Sequence, residues 1–269
     1  AAGNSTVSGN AAGNSTVSGN NAAQEKEDDA AGGMPQEEPP YGENRPEPLR
    51  GSTEEEYLSH ISADIYGDAG VQKAAEYPFV TVDESYFDDA LFIGDSRTDT
   101  LKMYAGWENT TYYVKTGTNI WDIMDVVPDD EDRTIDEKLQ NKQFGKVYIM
   151  LGVNELGTGT AETYYQQFKK VVARIRELQP NALIFVESII HVSAEKDAEG
   201  TVINNTEINA RNKWLKKLAD NKTIFYLDYN EVLDDENGAL KADSTFDGVH
   251  LQADKIEPWK QFILSHGVK

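Results

Sequence analysis

Two short motifs contain the residue types of a nucleophilic site. Ser96 lies in the tripeptide GDS (94–96), and Asp247 precedes His250 by three residues in DGVH (247–250). A serine hydroxyl attacks a carbonyl carbon when a histidine removes its proton, and a carboxylate on the other ring nitrogen fixes the histidine tautomer. One turn of chain can bring Asp247 to Nδ1 of His250, which leaves Nε2 for Ser96. The spacing predicts a catalytic triad of Ser96, His250 and Asp247.

Three further groups could stabilise the negative charge that develops on the carbonyl oxygen. Ser96 stands where a predicted strand meets a predicted helix, so its backbone N–H is free to face an anion. Gly117, in KTGTN, has no Cβ and lets its backbone approach a ligand closely. Asn154, in LGVNE, adds a side-chain amide. We predict an oxyanion hole made by Ser96, Gly117 and Asn154.

Alternating apolar and helix-period segments provide the elements that would position these residues. Strands are predicted over residues 90–94, 110–115, 146–151, 182–188 and 223–228, and helices over 97–104, 161–178, 205–219 and 253–265. The helix at 161–178 is expected to bury Tyr165, Phe168, Val171, Val172, Ile175 and Leu178. This alternation predicts an α/β domain with a parallel sheet covered on both faces. Sites in such sheets form beyond the carboxyl ends of the strands, where the motifs fall.

The N-terminal part of the chain has a different composition. The decapeptide AAGNSTVSGN occurs twice, and an acidic and then a Pro/Glu-rich stretch follow. We predict a disordered low-complexity tether over 1–52, an extension over 53–80 that can form helices and dock, and a catalytic domain over 81–269. A remnant of cloning or a terminus without function is the alternative interpretation of the tether.

Charge and composition exclude several classes of partner. The formal net charge is −22, and a surface this acidic repels nucleic-acid backbones and anionic lipid. The chain has no cysteine, so disulfides and thiolate metal sites are excluded. It has neither an apolar run of the roughly 20 residues that cross a bilayer nor a signal peptide within the given sequence. We expect a bacterial, extracellular or cell-surface protein, tethered to the surface, whose signal or anchor is absent from this chain.

The four motifs together resemble the SGNH (GDSL-like) hydrolase family. That family is defined by a serine, a glycine, an asparagine and a histidine in four blocks, which look like Ser96, Gly117, Asn154 and His250 here, with Asp247 before the histidine. The resemblance covers about residues 88–266. It implies a flavodoxin-like three-layer α/β/α sandwich with a parallel sheet of about five strands. It also implies hydrolysis of esters or thioesters without a metal or organic cofactor.

Two departures from the family pattern and two other residues mark candidate substrate contacts. Glu155 stands where the family usually has aspartate, and Arg97 follows the nucleophile in place of leucine. Arg97 could bind an anionic group, or pair with a nearby acid. Trp121 could stack on a sugar ring or belong to the core, and His191 could line the pocket or be structural. The acidic runs 129–132 and 234–238 lack calcium-loop spacing, so we interpret them as solvated turns and expect no metal site.

The predicted chemistry leaves several functions open. The first is a serine esterase, an acetylesterase, that removes small acyl groups from a polysaccharide or cell-wall glycan. Lysophospholipase or thioesterase activity on another small ester, and acyl transfer to an alcohol, would use the same residues. A non-catalytic glycan-binding module that keeps the fold is the alternative from another class.

Overall fold

The computed structural model describes residues 79–269. The predicted tether over 1–52, and the extension over 53–80 apart from its last two residues, lie outside the described part. At the start of that part, the backbone of Val80 exchanges two hydrogen bonds with the backbone of Gly267, of 2.9 and 3.0 Å. The first described residues are thereby joined to the C-terminal end of the chain.

Five strands and seven α-helices, joined by short 3₁₀ turns, make up the described residues. The strands are β1 (Ala90–Gly94), β2 (Thr111–Val114), β3 (Lys146–Met150), β4 (Leu183–Glu187) and β5 (Ile224–Leu227). The α-helices are α1 (Ser96–Tyr104), α2 (Ile135–Asn141), α3 (Ala161–Leu178), α4 (Ala194–Ala198), α5 (Asn205–Leu215), α6 (Asn230–Leu233) and α7 (Glu257–Ser265). The 3₁₀ turns are Glu84–Phe87, Ile123–Asp125, Lys216–Leu218, Ala242–Ser244 and Ala253–Lys255.

All strand pairs are parallel, and the strand order is β2-β1-β3-β4-β5. This is the flavodoxin-like order of a doubly wound sheet, so the predicted fold class and number of strands are confirmed. The chain runs outward in one direction from β1 to β2 and then returns to the other side of β1 with β3. The crevice at this switch point, beyond the carboxyl ends of β1 and β3, is where such sheets bind ligands.

A row of aromatic rings crosses the whole sheet on one face. Tyr112, Phe92, Tyr148, Phe185 and Phe225 occupy paired positions on the five neighbouring strands. Successive ring centroids lie 5.4, 4.3, 4.3 and 5.5 Å apart. Aromatic neighbours on adjacent strands stabilise each other beyond their buried area, and a shift by one residue would turn every ring to the other face. The row therefore fixes the register that sets the strand ends side by side.

Helices cover both faces of the sheet. Helices α2, α3 and α5 pack on the face with Leu91 and Ile93, and helices α1, α6 and α7 pack on the aromatic face. No helix between residues 79 and 269 combines the length and apolar composition required to cross a membrane.

Three local predictions differ from the structure. On α3, Tyr164 is buried with its hydroxyl bound to Leu151 O, whereas Tyr165 is only partly buried, because the buried stripe is set by the i, i+4 pair with Phe168. Helix α5 ends at Leu215 and tightens into a 3₁₀ turn. Helix α7 begins only at Glu257, because Pro258 lacks an N–H and fits the first turn.

Candidate active site

Ser96 begins helix α1 directly beyond the end of β1. Asp95 caps the helix by accepting a hydrogen bond from Arg97 N–H at 2.9 Å. A Cβ on Gly94 would lie 2.0 Å from Thr98 Oγ1 and 2.8 Å from Met150 O. Glycine at position 94 thus lets α1 approach the sheet closely, which places Ser96 at the switch-point crevice with its backbone N–H at a helix N-terminus.

Ser96, His250 and Asp247 form a continuous hydrogen-bonded relay. Ser96 Oγ lies 2.9 Å from His250 Nε2, and His250 Nδ1 lies 2.6 Å from Asp247 Oδ2. The other oxygen of Asp247 accepts the backbone N–H groups of Val249 and His250, both at 2.8 Å. Partial burial raises the pKa of Asp247, but these hydrogen bonds from His250 and Val249 outweigh burial and lower it below its usual value. The aspartate is therefore ionised when it faces the imidazole.

The loop that carries His250 is fixed to the segment beyond β4. Gly248 O accepts a 2.9 Å hydrogen bond from Ser193 N–H. Gly248 has a φ of +78°, and a Cβ there would lie 2.6 Å from Lys196 Cβ. The position thus requires glycine for both conformation and space.

Residues 189–192, the post-β4 segment, are held by side chains instead of by a neighbouring strand. Asn212 binds both N and O of Ile189, and Asn205 binds both N and O of Val192, at 2.8 to 2.9 Å. Asn230 accepts from His191 N at 2.8 Å and donates to Ile189 O at 3.1 Å. These asparagines were not among the predicted site residues. Asn205 and Asn212 fall in a predicted helix and Asn230 follows a predicted strand, but nothing else in the sequence marks them.

Two of the three candidate oxyanion donors, Gly117 and Asn154, lie on loops that contact each other. Thr118 N donates to Lys115 O at 3.3 Å around Gly117, whose φ of +79° is typical of the third residue of a type II turn. Asn154 Nδ2 donates to Thr118 O at 2.8 Å and to Asp95 Oδ2 at 3.2 Å. Asn154 thus bridges the residue after Gly117 and the residue before Ser96.

Asp95 is buried under this bridge. Desolvation raises its pKa, while the positive charge of Arg97 and the Arg97 N–H act to lower it. The Asp95 carboxyl contacts both the N-terminus of α1, through Oδ1, and the Asn154 amide, through Oδ2. It therefore links the nucleophile's helix to one candidate oxyanion donor.

The four candidate substrate contacts point away from solvent or pack on the core. Arg97 is 3% exposed, and its Nη1 donates to Ile190 O at 2.7 Å. Burial lowers its pKa to about 10, although the charges of Asp95 and Asp247 oppose this. Trp121 is partly buried against the core on the β2 side of the sheet.

Glu155 and His191 are also buried. Glu155 is 1% exposed and accepts Ile120 N–H with Oε1. His191 Nδ1 lies 2.6 Å from Asp234 Oδ2, and Nε2 lies 3.0 Å from Asn209 Oδ1. Burial lowers the pKa of His191, but the hydrogen bonds to these oxygens and the charge of Asp234 raise it above its usual value. The structure thus brings the predicted triad residues together, whereas Arg97, Glu155 and His191 are buried and Trp121 is partly buried.

Residues 79–269 hold no cluster of three or more histidine, aspartate and glutamate side chains arranged to bind a metal ion. The acidic run 129–132 forms a turn with surface ion pairs, such as Lys138 with Asp132 at 3.1 Å. The run 234–238 also turns, but the interpretation as a solvated turn is wrong for Asp234, whose largely buried carboxylate faces His191.

The family profile of GDSL-like lipases and acylhydrolases matches residues 92–254. This chain belongs to that family of ester hydrolases, as the four motifs predicted. Among curated proteins, none matches the sequence.

Solved structures show the same fold. A candidate platelet activating factor from Streptococcus pneumonia is 20% identical, with a TM-score of 0.51 over 78% of this chain and 93% of its own. A candidate acylhydrolase from Bacteroides fragilis is 17% identical, with a TM-score of 0.50 over 74% of this chain and 94% of its own. A candidate GDSL-like lipase from Parabacteroides merdae is 15% identical, with a TM-score of 0.50 over 71% of this chain and 98% of its own.

Proposed function

We propose that this chain is an extracellular serine esterase that removes small acyl groups, chiefly acetyl, from a polysaccharide or cell-wall glycan. The observation that carries the proposal is the relay from Ser96 Oγ through the His250 ring to Asp247, with contacts of 2.9 and 2.6 Å. A hydroxyl, an imidazole and an ionised carboxylate in this order are the parts needed for acyl transfer through serine.

The first half of the reaction forms an acyl-enzyme. Ser96 Oγ attacks the ester carbonyl carbon while His250 Nε2 takes the hydroxyl proton, and the carbonyl π electrons move to the oxygen. When the tetrahedral species collapses, the bond to the alcohol oxygen breaks and the imidazolium protonates that oxygen. Asp247 stabilises the imidazolium and keeps the proton of the resting ring on Nδ1.

In the second half, water hydrolyses the acyl-enzyme by the same kind of steps. His250 takes a proton from water, the resulting hydroxide attacks the acyl carbon, and collapse returns the proton to Ser96 Oγ and releases the carboxylic acid. In both halves the oxyanion faces the N–H groups of Ser96 and Gly117 and the amide of Asn154. Of the two resting contacts of Asn154, the bond to Asp95 is longer, at 3.2 Å against 2.8 Å. We take that hydrogen to be the one that turns to the oxyanion.

The exposure of the site favours a short acyl group on a large polar alcohol. The side chains of His250 and Asp247 are 40% and 54% exposed, and Asn154 is exposed as well. Each methylene of an acyl chain adds about 0.8 kcal/mol to binding only where it becomes buried. An open site gives a long chain little of that gain, whereas a polymer can lie across it. The repetitive N-terminal sequence, suited to a tether, supports action outside the cell.

Turnover of p-nitrophenyl acetate, butyrate and octanoate by wild type, Ser96→Ala and Ser265→Ala tests the proposal. Ser265 is the matched control because its Oγ also contacts a histidine, His266 Nδ1 at 3.0 Å, at the end of α7. We expect rates that fall with chain length, that vanish in Ser96→Ala and that persist in Ser265→Ala. Release of acetate from an acetylated glycan, in step with this pattern, completes the test.

Other outcomes identify the alternatives. A preference for octanoate would contradict the small-acyl assignment and favour lysophospholipids or thioesters. Fluorophosphonate labelling of Ser96 without hydrolysis would indicate acyl transfer to an alcohol. Absence of both labelling and turnover would leave a glycan-binding module.

A further inference from the structure

Glu155 contacts the loop that carries Gly117. We define the Gly117 loop as residues 115–121. Ile120 N–H donates to Glu155 Oε1, Asn154 Nδ2 donates to Thr118 O at 2.8 Å, and Gln167 Nε2 reaches Ile120 O at 3.5 Å. The contacts from residues 154 and 155 therefore connect this loop to the loop that follows β3.

Burial changes the pKa of the Glu155 carboxyl in a way that suits its hydrogen bond from Ile120 N–H. Desolvation raises its pKa to about 8, and the Asp95 charge acts in the same direction, whereas the Ile120 hydrogen bond opposes them. Burial thus favours the protonated form of this carboxyl, although the charge of Arg211 acts in the opposite direction. In that form Oε1 still accepts Ile120 N–H, as the carbonyl oxygen of an amide would.

The length of the side chain also matters. Aspartate, which the family usually has after the asparagine, would withdraw the acceptor by one carbon–carbon bond, about 1.5 Å. Ile120 is fully buried, so its N–H has no access to water as a replacement. A shorter side chain therefore either leaves that N–H without an acceptor or moves the loop toward β3.

We propose that Glu155 is a positioning residue that sets the place of Gly117 in the oxyanion hole by holding the backbone of Ile120. The assignment rests on the proposed esterase function, in which Gly117 N–H donates to the oxyanion. Such donors act at 2.7–3.1 Å from the developing charge, so small displacements of the loop weaken them. Glu155 itself touches the loop and not the substrate, in contrast to the substrate contact expected from the sequence.

The test compares Glu155→Gln, Glu155→Asp and Glu155→Ala. Gln keeps a neutral acceptor at full length, so we expect kcat within about threefold of wild type. Asp keeps the carboxyl but not its reach, and we expect kcat to fall about tenfold. Ala removes the acceptor, and we expect a fall of about 10²-fold, the loss typical of a misplacement near 1 Å. KM for p-nitrophenyl acetate should change little in all three, because the oxyanion contact is made in the transition state.

Glu187→Gln and Glu187→Ala are the matched controls. Glu187, at the end of β4, is likewise buried, with its pKa raised by desolvation to about 8, but it receives its hydrogen bond from Tyr229 OH on the aromatic face. Glu187→Ala should lower Tm, as should Glu155→Ala, and both Glu187 variants should leave kcat unchanged. Equal losses of kcat in both series would show a general effect of instability and overturn the proposal.

Amide hydrogen exchange of residues 118–120 provides a readout that needs no substrate. Exchange should accelerate in Glu155→Ala and Glu155→Asp and stay at the wild-type rate in Glu155→Gln. Unchanged exchange in Glu155→Ala, unchanged kcat in Glu155→Ala, or a higher kcat for Asp than for Gln would each overturn the proposal. If the wild type shows no Ser96-dependent turnover, the proposed function fails, and the exchange rates still decide whether Glu155 positions the loop.

Discussion

Replacement of Asp247 by asparagine should move the ring proton of His250 from Nδ1 to Nε2 while leaving the loop of His250 in place. The oxygen that accepts Val249 N–H and His250 N–H, both at 2.8 Å, has a counterpart in the amide oxygen. The oxygen that faces His250 Nδ1 at 2.6 Å becomes an NH₂ donor. Nδ1 must then accept a hydrogen bond, so the ring proton moves to Nε2 and points at Ser96 Oγ. The histidine can no longer take the serine proton.

The size of the effect follows from the exposure of the aspartate. In buried serine triads the same substitution lowers kcat by about 10⁴, which corresponds to about 5.5 kcal/mol. The Asp247 side chain is 54% exposed, so water screens its charge and the stabilisation of the imidazolium is smaller. We expect a loss of about 10³ to 10⁴ in kcat, with little change in KM or Tm.

The assay is initial-rate hydrolysis of p-nitrophenyl acetate alongside thermal unfolding. Asp235→Asn is the matched control, because Asp235 Oδ1 also accepts two backbone N–H groups, from Asn237 at 2.8 Å and Ala239 at 3.3 Å, in a surface turn. It should keep the wild-type rate. A loss below tenfold in Asp247→Asn, with turnover still dependent on Ser96, would refute the assigned orientation of the ring.

Three further predictions concern the candidate oxyanion donor Asn154, the packing of α1 and the buried carboxyl of Glu187. Asn154→Ala should lower kcat by about 10² to 10³ with KM nearly constant, and an unaltered rate would show that the amide does not serve the oxyanion. Gly94→Ala should lower both Tm and kcat, because the new Cβ would lie 2.0 Å from Thr98 Oγ1 and 2.8 Å from Met150 O; wild-type values in both measurements would contradict this. Wild-type stability should fall as pH rises from 4.5 to about 8, since the folded Glu187 carboxyl, with its pKa raised to about 8, holds a proton that the unfolded chain releases. Between pH 5 and pH 9 the free energy of unfolding, measured with urea, should fall by up to about 5 kcal/mol less in Glu187→Gln than in wild type. An identical fall in both proteins would refute this.

The sheet and the relay could be predicted because their signals are local. Each strand is a short apolar run that lies where it was predicted and has nearly the predicted length, as do Ala90–Gly94 and Lys146–Met150. The motifs follow these runs directly, and parallel strands bring their carboxyl ends to one edge. The parallel sheet covered on both faces therefore followed from periodicity and order, the neighbourhood of Ser96 and His250 from the chemistry of their motifs, and the flavodoxin-like topology from the family resemblance.

Other features depend on contacts between distant parts of the chain. The guanidinium of Arg97 is directed to Ile190 O, and the acceptor of Ile120 N–H is Glu155. Neither partner can be read from the sequence around the first residue, so the sequence leaves a substrate contact open for both Arg97 and Glu155. The short helices α2, α4 and α6 were not predicted, because a helix of one or two turns is stabilised by packing and capping more than by its own residues.

The side-chain support of the post-β4 segment has a consequence for the order of assembly. The nucleophile and its helix belong to the first part of the domain to be synthesised, whereas Asn205, Asn212 and Asn230, which hold residues 189–192, come much later. Gly248, fixed to Ser193 of the same region, comes later still. Until these helices dock, the loop of His250 has no support beside Ser96. A nascent or truncated chain therefore carries a serine without its base, and reactivity should appear only when the C-terminal half has folded.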